Sequence, residues 1–272
     1  MKKRVLLLII AGVFVIFPLW NVFLTVTHLH LPSGDVKEGI AALESFNNVD
    51  ESSVIQKLAD MEESRLEEQR ALQEKARQEA ARESAEACLK AIERGDTTYR
   101  KVFDRVYFDG DSLMNGLEAY NILNSNRLIS AVSANFGHLE ENVPKLIKLR
   151  PQVLILHYGI NMIGTEDYHL SSFISTYTSL INKIKDGTPS TRIIISCLFP
   201  VQTNKATAAR FKNVGKYNSA IKEMCKKLNV EYLDSSPVLN AHPECYASDG
   251  IHQDSQFYYY WLQFIITEKG IY

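Results

Sequence analysis

Phe108-Asp109-Gly110-Asp111-Ser112-Leu113-Met114-Asn115-Gly116 decides the reading of this chain. It follows Val102-Phe103-Asp104-Arg105-Val106-Tyr107, which carries the β-branched and aromatic residues of a strand. Glycines stand on either side of one serine, and helix-compatible Leu117, Glu118 and Ala119 come next. The pattern predicts a strand that breaks at Gly-Asp-Ser and continues as a helix. Such a break sets the Ser112 hydroxyl at the carboxyl end of a sheet, where the first free N–H groups of the helix point outward. Open α/β sheets bind their ligands at that edge.

A serine in a turn is, on base rates, a turn residue or an N-cap. Two further stretches argue for more. Val153-Leu154-Ile155-Leu156-His157-Tyr158 reads as a buried strand that ends in Gly159-Ile160-Asn161. Ser248-Asp249-Gly250-Ile251-His252 stands just before the last apolar-periodic segment. A serine, an asparagine and an Asp-x-x-His pair, each at a strand end or loop, are the residue types that acyl transfer uses. With these three ordered blocks, the chain from about Val102 to its end resembles the SGNH (GDSL) hydrolase family.

The residues between the blocks alternate strand and helix patterns. Strands are expected near 102–108, 128–133, 153–158, 192–197 and 230–233. Helices are expected near 117–124, 139–149, 170–185, 206–228 and 256–267. Alternation of this sort predicts an α/β domain with a parallel sheet covered on both faces. The resemblance adds the strand order, a three-layer α/β/α sandwich of flavodoxin-like type.

The resemblance implies a Ser-His-Asp triad. Ser112 is the expected nucleophile. His252 is the expected base, since an imidazole can accept and return a proton near neutral pH. Asp249, three residues earlier, would orient it. The negative charge that builds on the carbonyl oxygen needs donors. The Ser112 N–H and the Asn161 side-chain amide are two. The family adds a backbone N–H after the second strand, and here Ala134 and Gly137 both remain candidates within Ser133-Ala134-Asn135-Phe136-Gly137. Met162 stands where the family often has Asp, and Asp111 is expected to shape the loop through local hydrogen bonds. His157 reads as a packed, hydrogen-bonded histidine. Phe257-Tyr258-Tyr259-Tyr260-Trp261 would either line a sugar cleft or pack on the sheet, the second for at least half of them.

The remainder of the 272 residues is sharply segregated. Met1-Lys2-Lys3-Arg4 is basic, and Val5 to Leu24 is apolar but for Gly12, Pro18 and Asn21. A run of about 20 apolar residues spans a bilayer core. A cleaved signal peptide and a buried core helix are the competing readings, but the run is longer than a signal core and Thr25-Val26-Thr27-His28-Leu29-His30 offers no good Ala-x-Ala-like site. The expectation is therefore a signal anchor over residues 1–27, cytoplasmic at its start, with the rest exported and the bilayer as partner of residues 5–24. Residues 28–49 read as a linker, with a short helix near 36–46. Residues 50–95 are rich in Glu, Arg, Gln, Lys and Ala, and contain no Gly or Pro between Glu51 and Arg94. They predict a long charged helix, a solvated stalk of roughly 65 Å ended by Gly95. Arg70/Glu74, Lys75/Glu79, Arg82/Glu86 and Glu86/Lys90 stand four apart in it. Arg65 and Glu68 interrupt the heptad, so weak self-association or a partner helix is the sharper alternative to a plain stalk. The catalytic domain is expected over 96–272.

The net charge of −2 gives no reason to expect a nucleic-acid partner. Cys88, Cys197, Cys225 and Cys245 are too far apart for a metal cage, with Cys197 and Cys225 expected as buried thiols. The implied chemistry needs no cofactor. Together these features predict a membrane-tethered, extracytoplasmic serine esterase or acyltransferase acting on acylated envelope glycans. A non-catalytic envelope scaffold with a vestigial site is the alternative, and a secreted lipase released by signal cleavage is a third.

Overall fold

The computed structural model of the chain describes residues 51–164, 169–202 and 208–272, with residues 37 and 40 besides. The expected membrane span, and all of the expected linker except residues 37 and 40, lie outside them. Among the described residues no helix is long and apolar enough to cross a membrane. The chain divides into two units, 1–71 and 72–272.

In the first unit the described residues, besides 37 and 40, are the start of helix α1, Glu51–Glu93. Its Ile55, Leu58, Met61 and Leu66 are exposed. In the second unit α1 is not solvated throughout. Ala85 is buried, and Cys88, Leu89 and Ile92 pack against the core. With Ala81 these form a stripe at helical spacing that draws the last turns into the domain. Of the four charge pairs spaced for a helix, Lys90 and Glu86 meet at 2.8 Å. Gly95 follows the helix with φ +79°, the left-handed stop its position suggests.

Strands β1 (Val106–Gly110), β2 (Leu128–Ser130), β3 (Val153–His157), β4 (Arg192–Ser196) and β5 (Glu231–Leu233) form one sheet. The order is β2-β1-β3-β4-β5, all neighbours parallel. This is the expected flavodoxin-like order, with its switch point between β1 and β3. The chain crosses from β1 to β2 in one direction and from β2 onward in the other. Right-handed crossovers therefore place the connecting helices on opposite faces.

One face carries α3 (Ser112–Ala119), α8 (Ser236–Ala241) and α9 (Ser255–Lys269), and the other α4 (Phe136–Leu149), α5 (Leu170–Gly187) and α7 (Val214–Leu228). Trp261 of α9 packs on Phe108 and Phe199 at 5.9 and 5.6 Å between ring centres. On the far face Phe136, Phe173 and Tyr177 cluster, with Phe173 edge-on to Tyr217. Phe257, Tyr258 and Trp261 are all buried, so packing is their role. Tyr259 is exposed, and Tyr260 stacks on His242 at 3.7 Å.

Several boundaries differ from the sequence expectation, each for a local reason. The strand expected from Val102 begins at Val106, because Thr98 caps a helical turn, α2 (Tyr99–Val102). The helix expected from Leu117 begins at Ser112, because the Asp111 side chain accepts the Leu113 N–H. The long helix expected over 206–228 is divided, with α6 (Ala208–Phe211) preceding α7. Helix α8 has six residues and is too short to show a period.

Helix α3 is held against α9 at Gly116. The Tyr258 hydroxyl donates to the Leu113 carbonyl at 2.7 Å, and a Cβ at Gly116 would stand 2.0 Å from the Tyr258 oxygen. Gly116→Ala should therefore cost about 1–3 kcal/mol, the range of an overpacked core. Urea denaturation of the full-length protein measures it, and an unchanged midpoint would refute the fit.

Candidate active site

The site is built where β1 and β3 end side by side. Gly110 pairs with His157 across the strands, and the Asp111 N–H donates to the His157 carbonyl at 3.2 Å. Helix α3 starts at the next residue, so the Ser112 N–H is among those with no partner inside the helix. The Ser112 side chain is partly exposed.

His252 comes to it from a loop 140 residues away, with Nε2 3.2 Å from Ser112 Oγ. Its Nδ1 lies 2.6 Å from Asp249 Oδ2. The other Asp249 oxygen accepts the N–H groups of Ile251 at 2.9 Å and His252 at 3.0 Å. Asp-x-x-His therefore closes on itself as one small ring of hydrogen bonds. The loop is pinned from outside as well: Ala247 N–H donates to the His252 carbonyl at 2.8 Å, and Gln202 N–H to the Gly250 carbonyl at 2.9 Å. The Tyr246 hydroxyl bonds the Pro200 carbonyl at 2.7 Å.

Partial burial, the largest influence on Asp249, pushes its carboxyl up. The bond from His252 and the two N–H groups outweigh it and hold the group at about 2. Asp249 is thus a carboxylate at any neutral pH. A hydroxyl, an imidazole and a fixed carboxylate in this chain can move a proton off the hydroxyl and stabilise the charged ring that results.

Asn161 sits in the turn after β3. Its amide donates to the Ala134 carbonyl at 3.1 Å, which leaves its second amide hydrogen for another acceptor. The two candidates for the third donor are both committed elsewhere. The Ala134 N–H donates to the Ala131 carbonyl at 3.2 Å, and the Gly137 N–H to Asn135 Oδ1 at 2.9 Å as part of the α4 cap. Ala134 serves the site through its carbonyl, as the anchor of Asn161, while Gly137 serves the helix start. Met162 is buried, and its N–H closes the turn onto the Gly159 carbonyl at 2.9 Å.

Sequence reading missed the buried polar cluster behind the nucleophile. Asp109, Asp111 and His157 are fully buried. Burial pushes the Asp109 carboxyl up to about 7, against the opposing bonds from Tyr158 and Asn142. Those bonds go to Oδ1, the one from Asn142 at 3.2 Å, and among the described residues Oδ2 has no partner. Burial likewise raises Asp111 to about 7. The Leu113 N–H, bonded to Oδ1 at 3.1 Å, and the nearby N–H groups of Gly159 and Ile160 oppose the rise. Asp111 thereby shapes the loop as expected and also faces the turn that carries Asn161. His157 is packed, as expected. Among the described residues neither ring nitrogen has a hydrogen-bond partner, and the ring packs on Phe199 at 4.4 Å. Burial pushes it down to about 3, with the Cys197 backbone opposing, so it is neutral near pH 7. The four cysteines are free, with Cys197, Cys225 and Cys245 buried.

Fold and geometry define an α/β/α domain with a Ser–His–Asp relay at the carboxyl edge of its parallel sheet. The chain belongs to the GDSL-like Lipase/Acylhydrolase family, whose sequence model matches residues 108–258. It is accordingly an ester hydrolase by class. No curated protein matches it. Among solved structures it is similar to a GDSL-like lipase from Parabacteroides merdae, with 13% identity and a TM-score of 0.52 over 61% of this chain and 95% of that one. It is also similar to a catalytic mutant of Axe2, an acetylxylan esterase from Geobacillus stearothermophilus, with 15% identity and a TM-score of 0.50 over 61% and 94% of the two chains. At these identities the likeness is one of fold.

The buried carboxyls carry a testable consequence. An Asp whose folded value is raised from 3.8 to about 7 adds stability below the lower value and loses it as pH rises through the upper. His157, pushed down from 6.5 to about 3, acts in the opposite sense as pH falls. Asp109→Asn keeps an acceptor for Tyr158 and removes the first effect alone. The urea midpoint of the variant should gain on that of the wild type as pH goes from about 5 to about 8. A constant gap would show that Asp109 does not titrate there.

Proposed function

We propose that the chain is an extracytoplasmic, membrane-anchored serine esterase or acyltransferase acting on ester groups, chiefly O-acetyl groups, of cell-envelope glycans. The observation that carries the chemistry is the unbroken relay Ser112–His252–Asp249. The relay also argues against a vestigial site, since a scaffold needs none of its distances.

In the proposed cycle Ser112 Oγ attacks the ester carbonyl while His252 Nε2 takes its proton. Asp249 accepts the Nδ1–H bond and stabilises the charged ring. The carbonyl oxygen, now negative, is met by the Ser112 N–H and the free hydrogen of the Asn161 amide. The intermediate collapses, and His252 returns the proton to the departing alcohol oxygen. The acyl group remains on Ser112. Water, or a second sugar hydroxyl, then attacks the acyl carbon with its proton passing to His252; the bond to Ser112 Oγ breaks, His252 returns the proton to Oγ, and the acyl group leaves as acid or as new ester.

The envelope setting rests on the sequence pattern. The basic start and the apolar run over 5–24 read as a signal anchor, and the charged helix as a spacer between anchor and domain. A cell-surface polymer is the substrate such a tether favours. The acetylxylan esterase of similar fold is one more reason to assay O-acetylated glycans.

Full-length protein should release acetate from p-nitrophenyl acetate and from O-acetylated cell-wall glycans. Ser112→Ala should lower kcat by at least about 1,000-fold, as removal of a triad nucleophile does. Asp249→Asn should lower it steeply with little change in KM, because it misplaces the His252 proton. Retained turnover in Ser112→Ala would sink the assignment. Protease digestion of intact cells that spares the domain would sink the proposed location.

A further inference from the structure

Arg210 lies on the four-residue helix α6, 49 positions from Asn161 in sequence. No sequence motif draws attention to it. Its guanidinium reaches the turn after β3 and grips it by two backbone carbonyls. Nη2 donates to the Asn161 carbonyl at 2.7 Å, and Nε to the Ile163 carbonyl at 2.9 Å.

Both bonds use adjacent nitrogens of one planar fork, whose geometry is fixed. Two acceptors two residues apart are therefore held at a set separation and orientation. The side-chain stem closes on the same turn. Gly164 has φ +72°, and a Cβ there would lie 2.9 Å from Arg210 Cγ and 3.1 Å from the Arg210 carbonyl. The turn is otherwise tied by the Met162 and Ile163 N–H groups, both donating to the Gly159 carbonyl at 2.9 and 3.2 Å. Phe211, buried beside Arg210, anchors α6 in the domain. Arg210 as a residue is exposed, with its guanidinium lying over the Phe211 ring at 5.3 Å, so the core is not built around its charge.

We propose that Arg210 is a positioning residue for the Asn161 oxyanion donor, acting as a two-point clamp on the carbonyls of Asn161 and Ile163. The proposal rests on the role of Asn161 given above. One end of Asn161 is fixed by Arg210 through the backbone and the other by the Ala134 carbonyl through the amide. Between these two points the remaining amide hydrogen keeps a single direction. A donor counts in catalysis only where the oxyanion will form, and misplacement by about 1 Å costs up to about 100-fold.

Arg210→Met keeps the stem against Gly164 and removes the fork. In the full-length protein it should lower kcat by about 10- to 100-fold with KM within about twofold, and leave the urea midpoint in place. Asn161→Ala should lower kcat by about 100- to 1,000-fold. The decisive reading is the double variant. If Arg210 acts through Asn161, Arg210→Met causes no further loss once Asn161 is Ala. Full additivity, or a raised KM at unchanged kcat, overturns the clamp. An unchanged kcat in Asn161→Ala overturns the oxyanion role itself, and the clamp with it. Should the Met variant lower the urea midpoint, Arg210→Lys enters the same cycle, keeping the charge and stem but not the fork.

Discussion

The absence of a side chain at Gly110 is the constraint on which the site depends. A Cβ there would stand 2.6 Å from the His157 carbonyl and 2.4 Å from Met114 Cγ. Only glycine lets β1 run so close to β3 while α3 folds back over it at once. The closeness gives the Asp111 N–H its bond to β3 and turns the chain within one residue. Asp111 then caps the helix, and Ser112 is left at the rim, partly exposed. Larger residues would push the strand ends apart and separate the nucleophile from the turn that bears Asn161.

The same crowding explains the polar groups enclosed behind Ser112. Burying a carboxyl without full hydrogen bonding is unfavourable, and among the described residues Asp109 and Asp111 each have one oxygen with no partner. The chain tolerates them where the first and third strands end, beside a neutral His157. In return the loop of β1 and the turn of β3 share one set of contacts, with Asp111 near the N–H groups of Gly159 and Ile160. A site that must meet developing charge without rearranging gains from such fixed dipoles. Stability is spent to hold a geometry.

What could be read from the sequence was local. Gly-Asp-Ser after a strand pattern foretold the β1–α3 corner, and alternating periods foretold the sheet. Asp249 and His252 were legible because an Asp-x-x-His spacing fits one turn. Whatever depended on distant backbone was hidden. Arg210 bonds carbonyls, which every residue has, so no residue type signals the contact. The choice between Ala134 and Gly137 turned on a bend in which Ser133 takes φ +62°, and the structure engages both N–H groups elsewhere. The last turns of α1 looked solvated because Ala81, Ala85 and Cys88 are small and sit among charges. Burial of Ala85 depends on what lies opposite, which composition does not record.

Base and orienting carboxylate ride on one short loop, while the nucleophile stands on another element. A shift of that loop would carry His252 and Asp249 together, keeping their 2.6 Å bond and changing only the gap to Ser112. The pair behaves as a cartridge whose docking against Ser112 sets how fast it is used. The Gln202 N–H, which bonds the Gly250 carbonyl, is one of the contacts that set that docking.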